Sequence, residues 1–192
     1  MSLWKLLTAK HGAGASDYDQ VRMDASTNAL LAIEYEHYKI HNAESFVVRE
    51  VQSVDTTTYK WQITTPATTK YAHMIFNASC TGEMLIVVTE GADRVDGDLI
   101  TPVNRYRVGS PAAATVVVSR APTEGATDGA IVLTTQRVGA TSVASKTIES
   151  GEARGIAEYV LKPATKYIVA ITTYAAVYVS IGLDWYEHTR LH

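Results

Sequence analysis

His37 and His41 stand four residues apart. On a helix that spacing puts two imidazoles on one face, close enough to share a metal ion. The surrounding stretch Ala32 to Ile40, however, reads as a strand. On a strand the two rings point the same way about 13 Å apart, too far for one ion, so no metal is assigned to them. Asp93, Asp96 and Asp98 around Gly97 have the composition of a calcium loop, but the spacing differs from an EF-hand and the closing glutamate is missing, which leaves a solvated turn. Cys80 is the only cysteine and has no base beside it in the sequence, and no serine sits in a Gly-x-Ser-x-Gly setting. Neither a phosphate-cradling loop nor a dinucleotide fingerprint occurs. The expectation is therefore a protein that is not an enzyme, with no catalytic residue and no cofactor.

Two groups are better suited to contact than to catalysis. Arg105, Tyr106 and Arg107 offer the flat, hydrogen-bonding area that anchors protein interfaces. Trp4, Leu6 and Leu7 are apolar side chains on a short segment followed by the low-bulk stretch His11 to Ser16, and leaving them in water is costly. They are the candidates for docking onto a partner.

The elements that must carry these residues are strands. The chain holds 23 Thr, 20 Val and 12 Ile against 11 Leu, a β-branched excess that suits a pleated surface. Near the end, Val177, Val179, Ile181, Leu183 and Trp185 alternate with Tyr178, Ser180, Gly182, Asp184 and Tyr186, so one face is core and the other is not. Tyr59, Trp61 and Ile63 repeat the pattern, as do Ala72, Met74, Phe76 and Ala78 against Tyr71, His73, Ile75 and Asn77. Further strands are expected at Phe46 to Val51, Glu83 to Thr89, Thr115 to Ser119, Ile131 to Gln136, Ile156 to Leu161 and Tyr167 to Thr172. All five prolines fall between or at the margins of these runs, as ladder hydrogen bonding requires. No stretch keeps helical periodicity over three turns, so parallel βαβ units are not expected. The fold class that follows is all-β, an antiparallel sandwich or barrel, with residues 1–28 as an N-terminal extended arm and 29–192 as the sandwich domain. Two long connections, Gly91 to Pro111 and Arg137 to Gly155, are the expected binding loops.

Net charge is -3 and the isoelectric point about 6.1, which leaves no basic excess for nucleic acid. The longest apolar runs fall far short of a membrane span. With a single cysteine and no secretory signal at Met1 to Leu7, the sequon Asn77-Ala78-Ser79 carries no weight and folding in a reducing cytoplasm is expected.

The order of several motifs is informative. Glu34 to His41 runs into Ser45-Phe46-Val47-Val48. Thr64-Thr65-Pro66 through His73-Met74 follows, then Ile100 to Arg105, Leu161 to Tyr167, and a closing segment that ends Trp185-Tyr186-Glu187-His188. From about residue 30 to 188 the chain resembles a family of small β-sandwich virion proteins of tailed bacteriophages. The resemblance implies a jelly-roll-like fold and a capsid cement or decoration protein that bridges major capsid protein subunits as a homotrimer. It also implies a location on the capsid surface of the virion after synthesis in the host bacterial cytoplasm, with neither nucleic acid nor membrane as partner. Family members often carry a denser Asn-Arg alternation where this chain has Asn104 to Ser110. Jelly rolls also serve in tails, so the alternative is a tail- or fibre-associated protein that binds a host surface receptor or glycan through its loops.

Overall fold

Alternation of side chains along extended segments becomes a set of antiparallel ladders in the computed structural model, which describes residues 8–10, 18–20, 35–123, 125, 127–139, 150–151 and 158–189. In chain order the elements are β1 (Thr8–Lys10), β2 (Tyr18–Gln20), α1 (Tyr35–His41), β3 (Ser45–Val54), β4 (Thr58–Thr64), β5 (Lys70–Cys80), β6 (Met84–Glu90) and β7 (Asp98–Ile100). There follow β8 (Val103–Asn104), β9 (Val117–Arg120), β10 (Ile131–Val138), β11 (Ser150–Gly151), β12 (Glu158–Leu161), β13 (Lys166–Thr173) and β14 (Val177–Thr189).

Contacts divide the chain into two units, residues 1–38 and 39–192. In the first, β1 and β2 pair antiparallel, Thr8 opposite Gln20 and Lys10 opposite Tyr18. The boundary expected after residue 28 falls outside the described residues, as do Trp4, Leu6 and Leu7. The second unit is an all-β antiparallel sandwich. Its first sheet has the order β10-β6-β13-β4-β9-β7 and its second the order β11-β5-β14-β3-β8, with β12 also on β5. The two sheets pack through their inner faces, where Trp61, Ile63, Met74, Val88, Ile171 and Leu183 are wholly buried. Phe46 and Trp185, neighbours across β3 and β14, stack at 5.7 Å between ring centroids. Burying such side chains contributes about 1.5–3 kcal/mol each from apolar area, the main favourable term for a chain with no disulfide.

The strand expected over Ala32 to Ile40 is corrected. Its described residues fall in an α-helix of two turns, Tyr35–His41. The helix stops on a C-terminal motif rather than by running out of helix formers. Ala43 takes a left-handed φ of 57°, its N–H donates to Ile40 O at 3.0 Å, and Glu44 N–H donates to Lys39 O at 3.0 Å. This is the paired bonding of a Schellman cap, here without the usual glycine. Lys39 is buried and its ammonium donates to Glu44 at 2.7 Å, tying the last turn to the residue before β3. The correction also removes the reason given for separating His37 from His41. As helix positions i and i+4 they share a face, about 5–6 Å apart at Cβ rather than 13 Å.

The connection Gly91 to Pro111 contains structure that its loop-like sequence hides. Strand β7 pairs with β9 at the end of the first sheet, and β8 pairs with β3 at the end of the second. Its first part, residues 91–97, together with 121–123, 125 and 127–129, covers part of the outer face of the first sheet. Under that cover Gln62, Ser119 and Ile168 are 0% exposed although they point away from the inter-sheet core. Asp128 holds the cover down by accepting from Lys60 Nζ at 2.6 Å and from Arg94. Asp96, expected in a solvated turn, accepts from Gln62 and, at 3.0 Å, from Thr64 Oγ1. Asp98 remains exposed. Gly125 permits the close approach of the two segments, since a Cβ there would overlap the Asp93 carbonyl.

Candidate functional site on the outer face of the second sheet

The second sheet presents its outward residues by period two. On β5 these are Tyr71, His73, Ile75 and Asn77, on β14 Asp184, Tyr186 and His188, and on β12 Glu158 and Val160. Register brings His73 opposite Tyr186 and Tyr71 opposite His188, while Glu158 lies opposite Ile75 on the other flank of β5. Residues separated by more than a hundred positions therefore meet on one patch.

Four of them form a continuous polar cluster. His73 Nδ1 lies 2.8 Å from Glu158 Oε1. The Tyr186 hydroxyl donates to the same carboxylate oxygen at 2.8 Å and stands 3.0 Å from His73 Nδ1. His188 Nε2 lies 2.7 Å from His73 Nε2, and His188 Nδ1 lies 2.7 Å from the Thr189 carbonyl. The His73 and Tyr186 rings stack at 4.7 Å, which fixes the imidazole plane. Burial holds His73 below the usual histidine range. Its hydrogen bond and attraction to Glu158 pull the other way, and His188 and Lys39 add to the lowering. The patch is half-buried, with the His73 side chain 21% exposed.

Next to this cluster lies an ionic one. Asp184 accepts from Arg49 at 2.6 Å and from Asn77 Nδ2 at 3.2 Å, and it pairs with Arg105. Of the three loop residues expected to face a partner, Arg105 is thus folded back onto the sheet, anchored also by its backbone N–H to Ser45 O at 2.9 Å. Tyr106 is half-buried, with its N–H donating to Asn104 Oδ1 at 2.8 Å. Arg107 is exposed, and Arg105 is exposed as well despite its ion pair.

Two further carboxylates serve the frame. Glu187 is buried at the inner end of β14 and accepts from Thr115 N–H at 2.9 Å, Val116 N–H at 3.1 Å, Thr115 Oγ1 at 2.6 Å and Trp185 Nε1 at 3.1 Å. It replaces a missing strand partner for the approach to β9. Glu50 accepts from Trp61 Nε1, Arg120 and Gln52 at 2.6, 2.6 and 2.7 Å. Burial pushes its carboxyl up, but those three hydrogen bonds and the Arg120 charge outweigh it and hold it below the usual carboxylate range. Burial also pushes the Tyr167 phenol up to about 12, with Glu90 adding to it. The Cys80 thiol is raised by burial and donates to the Gly82 carbonyl, so it is a poor nucleophile.

A cavity of about 40 Å³ lies between the sheets, lined by Phe76, Ile86, Tyr159 and Ile181 among others. It has room for water but not for an organic substrate, whose pockets run to several hundred Å³. Among the described residues no helix is long and apolar enough to cross a membrane. Comparison with protein-family models, with curated proteins and with solved structures finds no match to this chain.

No sequence signal announced the His73 cluster, because it depends on strand register. The alternation did place His73 and Tyr186 on outward faces. A search for pairs of outward titratable residues on different strands is the signal that leads to it.

Proposed function

We propose that this chain is a non-enzymatic virion structural protein, a cement protein that bridges major capsid protein subunits on a tailed-phage head as a homotrimer. Strand order supports the finer, jelly-roll reading. Of the eight principal strands β3, β4, β5, β6, β10, β12, β13 and β14, numbered one to eight, the sheets have the orders 1-8-3-6 and 2-7-4-5. That interleaving is what two nested Greek keys produce.

The observation that carries the role is one edge of the sandwich. Strands β7 and β8 end their respective sheets and are joined through Thr101 and Pro102. Along this edge Leu99 is 70% exposed and Val103, Val108 and Val117 are exposed as well. Aliphatic side chains exposed to solvent beside short edge strands favour a contact partner over a small-molecule substrate. Repeated over a symmetric shell, weak contacts of this kind add through multivalency.

Quantitative mass spectrometry of purified particles tests the reading. A cement protein is expected at hundreds of copies per head. A handful of copies located at the tail overturns it in favour of a tail- or fibre-associated protein that binds a host receptor or glycan. Retention on purified capsids then locates the contact. A Leu99→Ser and Val117→Ser double variant tests the edge, and deletion of residues 1–28 tests Trp4, Leu6 and Leu7.

A further inference from the structure

We propose that His73 and His188 form a cross-strand chelate for one divalent transition-metal ion of the zinc type, with Glu158 orienting the first imidazole from behind. The positions of the protons lead to it. His188 Nδ1 lies 2.7 Å from the Thr189 carbonyl oxygen, which can only accept. Nδ1 therefore carries the hydrogen, and Nε2 carries a lone pair. His73 Nδ1 lies 2.8 Å from Glu158 Oε1, and an ionised carboxylate also only accepts, so His73 has the same tautomer. Tyr186 fits this assignment. Its hydroxyl donates to the Glu158 oxygen at 2.8 Å, and its own oxygen, 3.0 Å from His73 Nδ1, takes a second share of that N–H.

Two bare imidazole nitrogens are left facing each other at 2.7 Å. Lone pairs at that distance repel unless an electrophile lies between them. A proton shared in the gap is one such electrophile. A cation that prefers imidazole nitrogen relieves the same repulsion. Two nitrogens about 2.05 Å from a tetrahedral zinc ion are about 3.3 Å apart, so the rings need to open by about 0.6 Å.

The surroundings are those of a histidine ligand. In metal sites the second ring nitrogen commonly donates to a carboxylate or a backbone carbonyl, which fixes the tautomer and raises the basicity of the ligand. Glu158 does this for His73 and the Thr189 carbonyl does it for His188. The charged and titratable groups facing the pair are Glu158 from β12, Tyr186 from β14, Tyr71 from β5, and Lys39 from α1, whose ammonium is already paired with Glu44 at 2.7 Å. Among the described residues no cluster of three or more ligating side chains forms. Water completes the coordination, and affinity in the micromolar range is expected, weaker than that of a four-ligand cage.

The test is titration of the full-length chain, purified without a histidine tag, with zinc chloride in a calorimeter and with cobalt chloride in an absorption spectrometer. One ion per chain is expected. His73→Ala and His188→Ala should each weaken binding more than tenfold, and Glu158→Gln about tenfold. His37→Ala/His41→Ala, which removes the helical pair, should leave it unchanged. Absence of saturable binding below millimolar zinc overturns the proposal, as does binding lost with the helical pair and kept without His73 and His188. A readout on the unaltered chain covers variants that fail to fold. Zinc should shift the imidazole nitrogen resonances of two histidines, and an imidazolium signal that persists at saturating zinc overturns the chelate in favour of a shared proton.

Discussion

The two outer faces of the sandwich are finished differently. On the first sheet, residues 91–97, 121–123, 125 and 127–129 lie across the outward positions, and Gln62, Ser119 and Ile168 are as buried as the inter-sheet core. On the second sheet, Val51 and Tyr178 remain 62% and 64% exposed, and its outward positions carry instead the histidine cluster and the Asp184 ion pairs. One face thus has a small second core sealed by the Lys60, Asp128 and Arg94 ion pairs. The other keeps polar chemistry within reach of solvent. In a β-sandwich the face that loops cover becomes frame, and the face left uncovered is where binding can develop.

Substitutions at matched positions sharpen this contrast. Ile168→Ala should cost about 2–5 kcal/mol if the covered face is a true core, measured by denaturant unfolding. A cost near zero would show the cover to be loose. Next in size, Asp128→Ala removes the acceptor of both Lys60 and Arg94, and partial exposure of the pair limits its expected cost to about 1–2 kcal/mol. Faster amide exchange confined to residues 91–97 and 127–129 is the accompanying sign.

Acid should act on the same frame. The carboxyls of Asp128 and Glu50 are each pushed up by burial, but their cationic and hydrogen-bonding partners prevail and hold both below their ordinary values of 3.8 and 4.5. Below those values the unfolded chain binds more protons than the folded one. The stability they contribute is therefore present at neutral pH and lost as pH falls through their folded pKa values. The melting temperature should drop between about pH 5 and pH 3, and Glu50→Gln should make that drop shallower while lowering the neutral value. Smallest of all, Val51→Ala on the uncovered face should change stability by no more than about 0.5 kcal/mol. A larger loss would mean that Val51 packs against its neighbours more closely than its exposure implies.

The strands were legible wherever the period was two and the buried face was apolar. Val177 to Trp185 appears in the structure with the alternation intact, and β4, β5 and β13 follow closely. The helix at Tyr35–His41 escaped because two turns hold too few apolar residues to establish a 3.6 period, and because it ends on Ala43 rather than on a glycine. Polar residues that face inward misled in the opposite direction. Glu50 and Gln52 on β3 and Arg120 on β9 point into the seam between the sheets, where a pattern reader expects apolar side chains. Asp96 and Arg94 read as solvated because the residues they bind, Gln62 and Asp128, are more than thirty positions away. The histidine cluster is the extreme case: His73 and His188 are 115 residues apart, and only the pairing of β5 with β14 brings them together.

The place of β14 has a consequence for how the protein is made. This strand lies between β3 and β5 and is the central member of its sheet, while β13 lies between β4 and β6 in the other. Both strands come from the last part of the described chain. During translation β3 to β6 therefore emerge before their central partners, and the first sheet completes only once β13 has emerged and the second only once β14 has. Such late, non-local closure makes folding slow and leaves nascent or truncated chains open to self-association and proteolysis. A chain cut short before β14 lacks the central strand of its sheet and cannot complete the sandwich.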